Sequence, residues 1–200
     1  MAIIKHNNQS ISSVTAFPSG VVTGKPELIS TATASSSSSI EFTSGIDSTY
    51  DVYKFEFVNI HPATDQNYFR FQANQSGGSG FNETITSTAF RAFHFENDSA
   101  SGVGYRTNWD QAQGTAYQYL GEQVGNGNDE SISGELYCFG LSSSTYVKHF
   151  IARTCVYYYA NSPIDNFIAG YFNVTTAIDE ISFKFTSGNI DSGTIKMYGI

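Results

Sequence analysis

The sequence predicts an all-β fold, an antiparallel two-sheet sandwich with the jelly roll as its expected topology. Three observations carry this. From Ser39 to the last residue, strand-length runs recur in which aromatic and polar residues alternate, as in Tyr53-Lys54-Phe55-Glu56-Phe57. Alternation with period two sets one face against a core and the other in water. The composition agrees: 16 Phe and 13 Tyr, with abundant Thr, suit a pleated and half-buried surface. The connections are rich in Gly, Asn and Ser, which make turns. Eight or more strands with uneven connections in residues 39–200 favour a sandwich over an up-and-down barrel. No internal repeat marks a propeller or solenoid.

Residues 1–38 read as an extended N-terminal arm preceding a β-sandwich domain at 39–200. The arm holds scattered apolar residues, Pro18, Pro26 and a closing serine run, without sustained periodicity. Ile3, Ile4, Val14, Phe17, Val21 and Val22 are too apolar for a solvated tail, so they are the candidate docking residues. One strand is expected within the arm, at residues 27–33.

In the domain, SIEFTSG opens the strand series. TYDVYKFEFVNIHP follows as a half-buried strand that stops at Pro62, because proline cannot donate to a ladder. NYFRFQAN places Phe69 and Phe71 on one side and Arg70 and Gln72 on the other. After the SGGSG turn, FNETITSTAFRAFHFEN reads as two short strands or one bent strand, with Phe93 and Phe95 inward. Residues 108–125 break the pattern: Ala116, Leu120 and Val124 stand at i, i+4 and i+8, which predicts a short helical turn near 115–124. ELYCFGL and YVKHFIARTCVYYY form a hairpin turning at residues 142–144. NFIAGYFN, EISFKFTSG and GTIKMYGI complete the chain.

Charge limits the function. Ten basic against 18 acidic residues give a formal charge of -8, which repels phosphate backbones, so no nucleic-acid partner is expected. No apolar run is long enough to span a membrane, and the first residues lack the apolar core of a secretory signal. In a hairpin centred near Ser143, Cys138 and Cys155 are not cross-strand neighbours, and reduced thiols are expected.

Reactive motifs are weak. His6, His61, His94 and His149 show no metal-ligand spacing. Gly20 to Lys25 is one residue short of a phosphate loop and is followed by Pro26, where a hydroxyl is required. Asn126 to Glu130 lacks the alternating carboxylates of a calcium loop and reads as a turn. No G-x-S-x-G elbow occurs, and no carboxylate pair can be singled out. Tyr157-Tyr158-Tyr159 suits a binding platform, and suits core or subunit packing at least as well. No enzyme activity, cofactor or metal is expected.

The stretches IIKHNNQSISSVTAFPSG, FEFVNIHPATD, SSSTYVKHFIAR, AGYFNVTTAIDEISFKFTSGNI and GTIKMYGI resemble segments of structural virion proteins of tailed bacteriophages, especially cyanophages and phages of other aquatic bacteria. The resemblance spans most of the chain and carries no catalytic residues. It implies a phage particle component made in the bacterial cytoplasm. The expected role is a capsid decoration or cement protein on the capsid exterior, partnered by the major capsid protein and by copies of itself, with a trimer expected by analogy. The alternative is a tail fibre or receptor-binding protein that recognises host surface glycan. The compact domain and the lack of heptads or shaft repeats favour the first.

Overall fold

The computed structural model describes residues 25–200, which form thirteen strands and no helix. They are β1 (Glu27–Thr33), β2 (Ile40–Phe42), β3 (Val52–Pro62), β4 (Asn67–Gln75), β5 (Ile85–His94), β6 (Ser101–Tyr105), β7 (Ala112–Gly114), β8 (Gln118–Val124), β9 (Ile132–Phe139), β10 (Lys148–Tyr158), β11 (Ser162–Phe172), β12 (Ile178–Phe185) and β13 (Ile190–Gly199). The candidate arm residues Ile3, Ile4, Val14, Phe17, Val21 and Val22 lie outside the described residues. The strand expected at residues 27–33 is β1, which pairs with β13 along its length.

All the pairings are antiparallel, and they form two layers. The large layer runs β1-β13-β3-β9-β10-β11-β5, with β6 and β7 both on the far edge of β5; the small layer runs β8-β4-β12-β2. One residue pair, Tyr158 with Val124, joins them at a corner. Set aside β5–β7 and the β10–β11 hairpin, and eight strands remain. Counted along the chain, their layer orders are first-eighth-third-sixth and second-seventh-fourth-fifth, the order of a jelly roll. The two insertions both extend the large layer beyond β9.

Period-two alternation builds the core. Tyr53, Phe55 and Phe57 of β3, Phe69 and Phe71 of β4 and Phe183 of β12 are all fully buried between the layers. Phe183 is central: its ring meets those of Phe42, Phe55, Phe57, Phe69 and Phe71 at centroid distances of 5.3–6.3 Å. Burial of each such ring contributes about 1.5–3 kcal/mol. Where β3 meets β13 the register slips. There Gly193 has φ +117°, and a side chain would strike the backbone of Asn59 and Ile60, so the close approach requires glycine.

The expected helical turn near 115–124 is not formed. Residues 118–124 are β8, a strand of the small layer, with Leu120 and Val124 facing the core. The reason is arithmetic: a spacing of four is one helical turn, but it is also two strand repeats, so both structures place Leu120 and Val124 on one face. Glu122, buried between them, hid the alternation. Residues 85–94 form a single strand, β5.

Candidate functional site

The outer face of the large layer spans β1 to β5 through seven paired strands. Because Phe55, Leu136, Ala152 and Ile168 point into the core, the residues between them point out. Register sets them in rows. Lys54, Tyr137, Ile151, Ala169 and Thr88 follow one another across β3, β9, β10, β11 and β5. Glu56, Glu135, Arg153, Phe167 and Phe90 form the next row, which ends on Tyr105 of β6.

Two of the depressions in this face lie side by side. The charged one, of about 670 Å³, is lined by Lys54, Glu56, Glu135, Arg153 and Asp165 among others. Four of its five charges form two ion pairs, and Glu56 stands outside them. Lys54 Nζ lies 2.8 Å from Glu135 Oε2. The hydrogen bond between them raises the ammonium pKa and holds the carboxyl below its usual range. Arg153 donates twice to Asp165, at 3.0 and 2.7 Å, and stands 4.9 Å over the Phe167 ring. Phe167 in turn stacks on Phe90 at 4.7 Å, with an interplanar angle of 5°.

The second depression, of about 610 Å³, is apolar and is walled by Phe139, His149, Ile151 and Tyr171, with Ala169 as its floor. Ile151 is 53% exposed although it sits mid-strand. Apolar surface placed beside satisfied ion pairs suits burial against a partner, since Lys54, Glu135, Arg153 and Asp165 bring their counter-charges with them. Counting Lys196, which pairs with Glu56 across the β13–β3 ladder, the face carries Lys54, Arg153 and Lys196 against Glu56, Glu135 and Asp165. These six balance three against three, while Glu96, Asp110 and Asp129 add acid at the rim.

The residues weighed for chemistry are dispersed. His61 sets Nδ1 2.6 Å from the Glu130 carbonyl oxygen. His94 meets Asp98 in solvent at 2.9 Å, and His149 packs edge-on to Tyr171. His6 lies outside the described residues. Among the described residues no group of three or more His, Cys, Asp or Glu is placed to hold a metal. In the loop at 126–130, Glu130 turns back to accept the Gly127 N–H at 2.6 Å.

The two thiols are free. Cys138 opposes Phe150 and Cys155 opposes Ser133, two residues out of the register expected for this hairpin. Cys138 points into the core and Cys155 out of it. Burial pushes both thiol pKa values up, and Asp165 adds to the effect at Cys155. Neither is an activated nucleophile.

Two buried charges escaped the sequence reading. Glu122 has no exposed side-chain surface and is gripped by Arg91 and by Arg106, the latter at 2.8 Å. Lys148 is buried, and its three ammonium protons go to the carbonyls of Tyr146, Val174 and Thr175 at 2.9, 3.2 and 2.9 Å. With every donor used, it is a structural clamp. A charged residue within a buried strand, as in QYLGEQV, was the only signal available for Glu122.

No protein-family model, curated protein or solved structure matches this chain. Fold and surface therefore stand by themselves: a jelly roll with an enlarged layer and a broad, partly apolar outer face.

Proposed function

We propose that this protein is a non-enzymatic structural component of a tailed-bacteriophage particle, a capsid decoration or cement protein that acts by adhesion. The observation that supports this reading is the outer face of the large layer. Apolar Phe139, Ile151 and Tyr171 stand beside ion pairs that are already satisfied. The segment resemblance to phage virion proteins supplies the setting. A cement protein binds the assembled shell better than the separated subunits, and so stabilises assembly by mass action.

The partners in this reading are the major capsid protein and further copies of this chain, with the N-terminal arm adding contact area. The acidic remainder of the surface faces solvent on the capsid exterior. Co-sedimentation with assembled shells tests the reading. The parent chain pellets with shells, and Ile151→Glu, which sets a charge in the apolar depression, stays in the supernatant while keeping the parent's circular dichroism spectrum. Equal pelleting of both chains would overturn the role of this face. The competing reading, a receptor-binding tail protein, predicts adsorption to host cells and protection of those cells from infection.

A further inference from the structure

On the opposite side of the molecule, Lys184 of β12 lies directly across the ladder from Arg70 of β4. Phe69, Phe71, Phe183 and Phe185 are buried, so these two cations stand together on the outer face of the small layer. Like charges directly opposite in an antiparallel pair repel each other. Among the described residues neither cation belongs to an ion pair. The acids on the same face are engaged elsewhere. Glu41 accepts from Ser39 and Ser182 at 2.9 and 3.4 Å, and Glu180 accepts from Asn74 at 2.8 Å.

The donors of Arg70 are mostly idle. One N–H reaches the Phe185 carbonyl at 3.4 Å, and Nε is buried without a partner. Tyrosine rings border the pair. The Lys184 ammonium lies 4.0 Å from the Tyr117 centroid, and the Arg70 guanidinium lies 5.7 and 6.0 Å from those of Tyr117 and Tyr119. Tyr68 continues the aromatic surface, 5.2 Å from Tyr119. A planar guanidinium matches a carboxylate with two parallel hydrogen bonds, and an adjacent ammonium adds a point charge. Tyrosine offers an apolar ring together with a polar hydroxyl, which suits a partner that is apolar on one side and wet on the other.

We propose that Arg70 and Lys184, bordered by Tyr68, Tyr117 and Tyr119, bind an acidic saccharide, whose carboxylate bridges the two cations while its ring lies on tyrosine. An anion placed there relieves the repulsion and engages the terminal N–H groups of Arg70, since its Nε is buried. The site lies on the other layer from the shell-binding face and does not depend on the phage reading.

The test is titration of the isotopically labelled full chain, followed by amide and arginine side-chain resonances, with three probes: D-glucuronate, D-glucose and inorganic sulfate. Glucuronate is expected to give saturable shifts around Arg70 and Lys184 with Kd on the order of 1 mM. Glucose has the ring without the charge and sulfate the charge without the ring, so each binds at least about tenfold more weakly. Lys184→Gln and Arg70→Gln each weaken glucuronate binding by at least about tenfold. Both leave the thermal midpoint little changed, because each relieves the repulsion and gives up a cation–π contact with Tyr117. If one variant fails to fold, the other still decides the question. Equal affinity for sulfate and glucuronate would overturn the saccharide assignment. Glucuronate binding left unchanged by both variants, or no binding by any probe, would overturn the site.

Discussion

Arg106 Nη2 lies 2.8 Å from Oε2 of Glu122, a carboxylate with no exposed side-chain surface, and Arg91 closes on the other oxygen. The contact ties the β5–β6 insertion to β8 of the small layer. Arg91 comes from β5, Arg106 follows β6, and Arg106 also covers the Trp109 ring at 4.9 Å. Burial and the neighbouring Arg106 charge both lower the pKa of Arg91, so the two guanidiniums tolerate each other only through the shared acid.

Glu122→Gln leaves the two guanidiniums in a largely enclosed space without their anion. Removing one member of a buried ion pair costs about 3–5 kcal/mol. About 3 kcal/mol is expected here, since the two arginine side chains keep 19% and 32% exposure. Urea unfolding monitored by Trp109 fluorescence measures it, and a loss under about 1 kcal/mol would show that solvent already screens the cluster.

Phe183→Ala removes the ring shared by both layers. Phe to Ala changes in cores cost about 3–5 kcal/mol, and the upper half of that range is expected because five other rings border the void. Phe90→Ala removes a partly exposed ring from the outer face and costs less than half as much. Comparable losses for the two variants would contradict a core centred on Phe183.

Thiol labelling reads the two faces of the β9–β10 hairpin. One equivalent of a thiol reagent per chain reacts in the native state, at Cys155, and the second, at Cys138, reacts only after unfolding. The Cys155 thiol pKa is raised from its usual value of 9.0. Its thiolate fraction is therefore low at neutral pH, and labelling accelerates as pH rises through 9 and above. Two equivalents reacting with folded protein would mean that the hairpin is paired with the wrong parity.

Alternation was legible in the sequence because it is local. Tyr53, Phe55 and Phe57 need only their own neighbours to show which side is wet, and Pro62 ends β3 whatever packs against it. The same local reading failed at residues 118–124, where a spacing of four serves helix and strand alike. In the β9–β10 hairpin the turn could be placed, but the register came out two residues away. Loop geometry sets that offset, and side-chain pattern is blind to an even-numbered slip.

That this chain makes sheets with an aromatic interior is written residue by residue, in period-two burial. Which strands became neighbours was settled by the packed fold. It set Arg70 beside Lys184, more than a hundred residues apart in the chain, and closed Arg91 and Arg106 on Glu122. The difference is one of range: burial preference belongs to each side chain, whereas an electrostatic neighbourhood belongs to a pairing that no single segment contains.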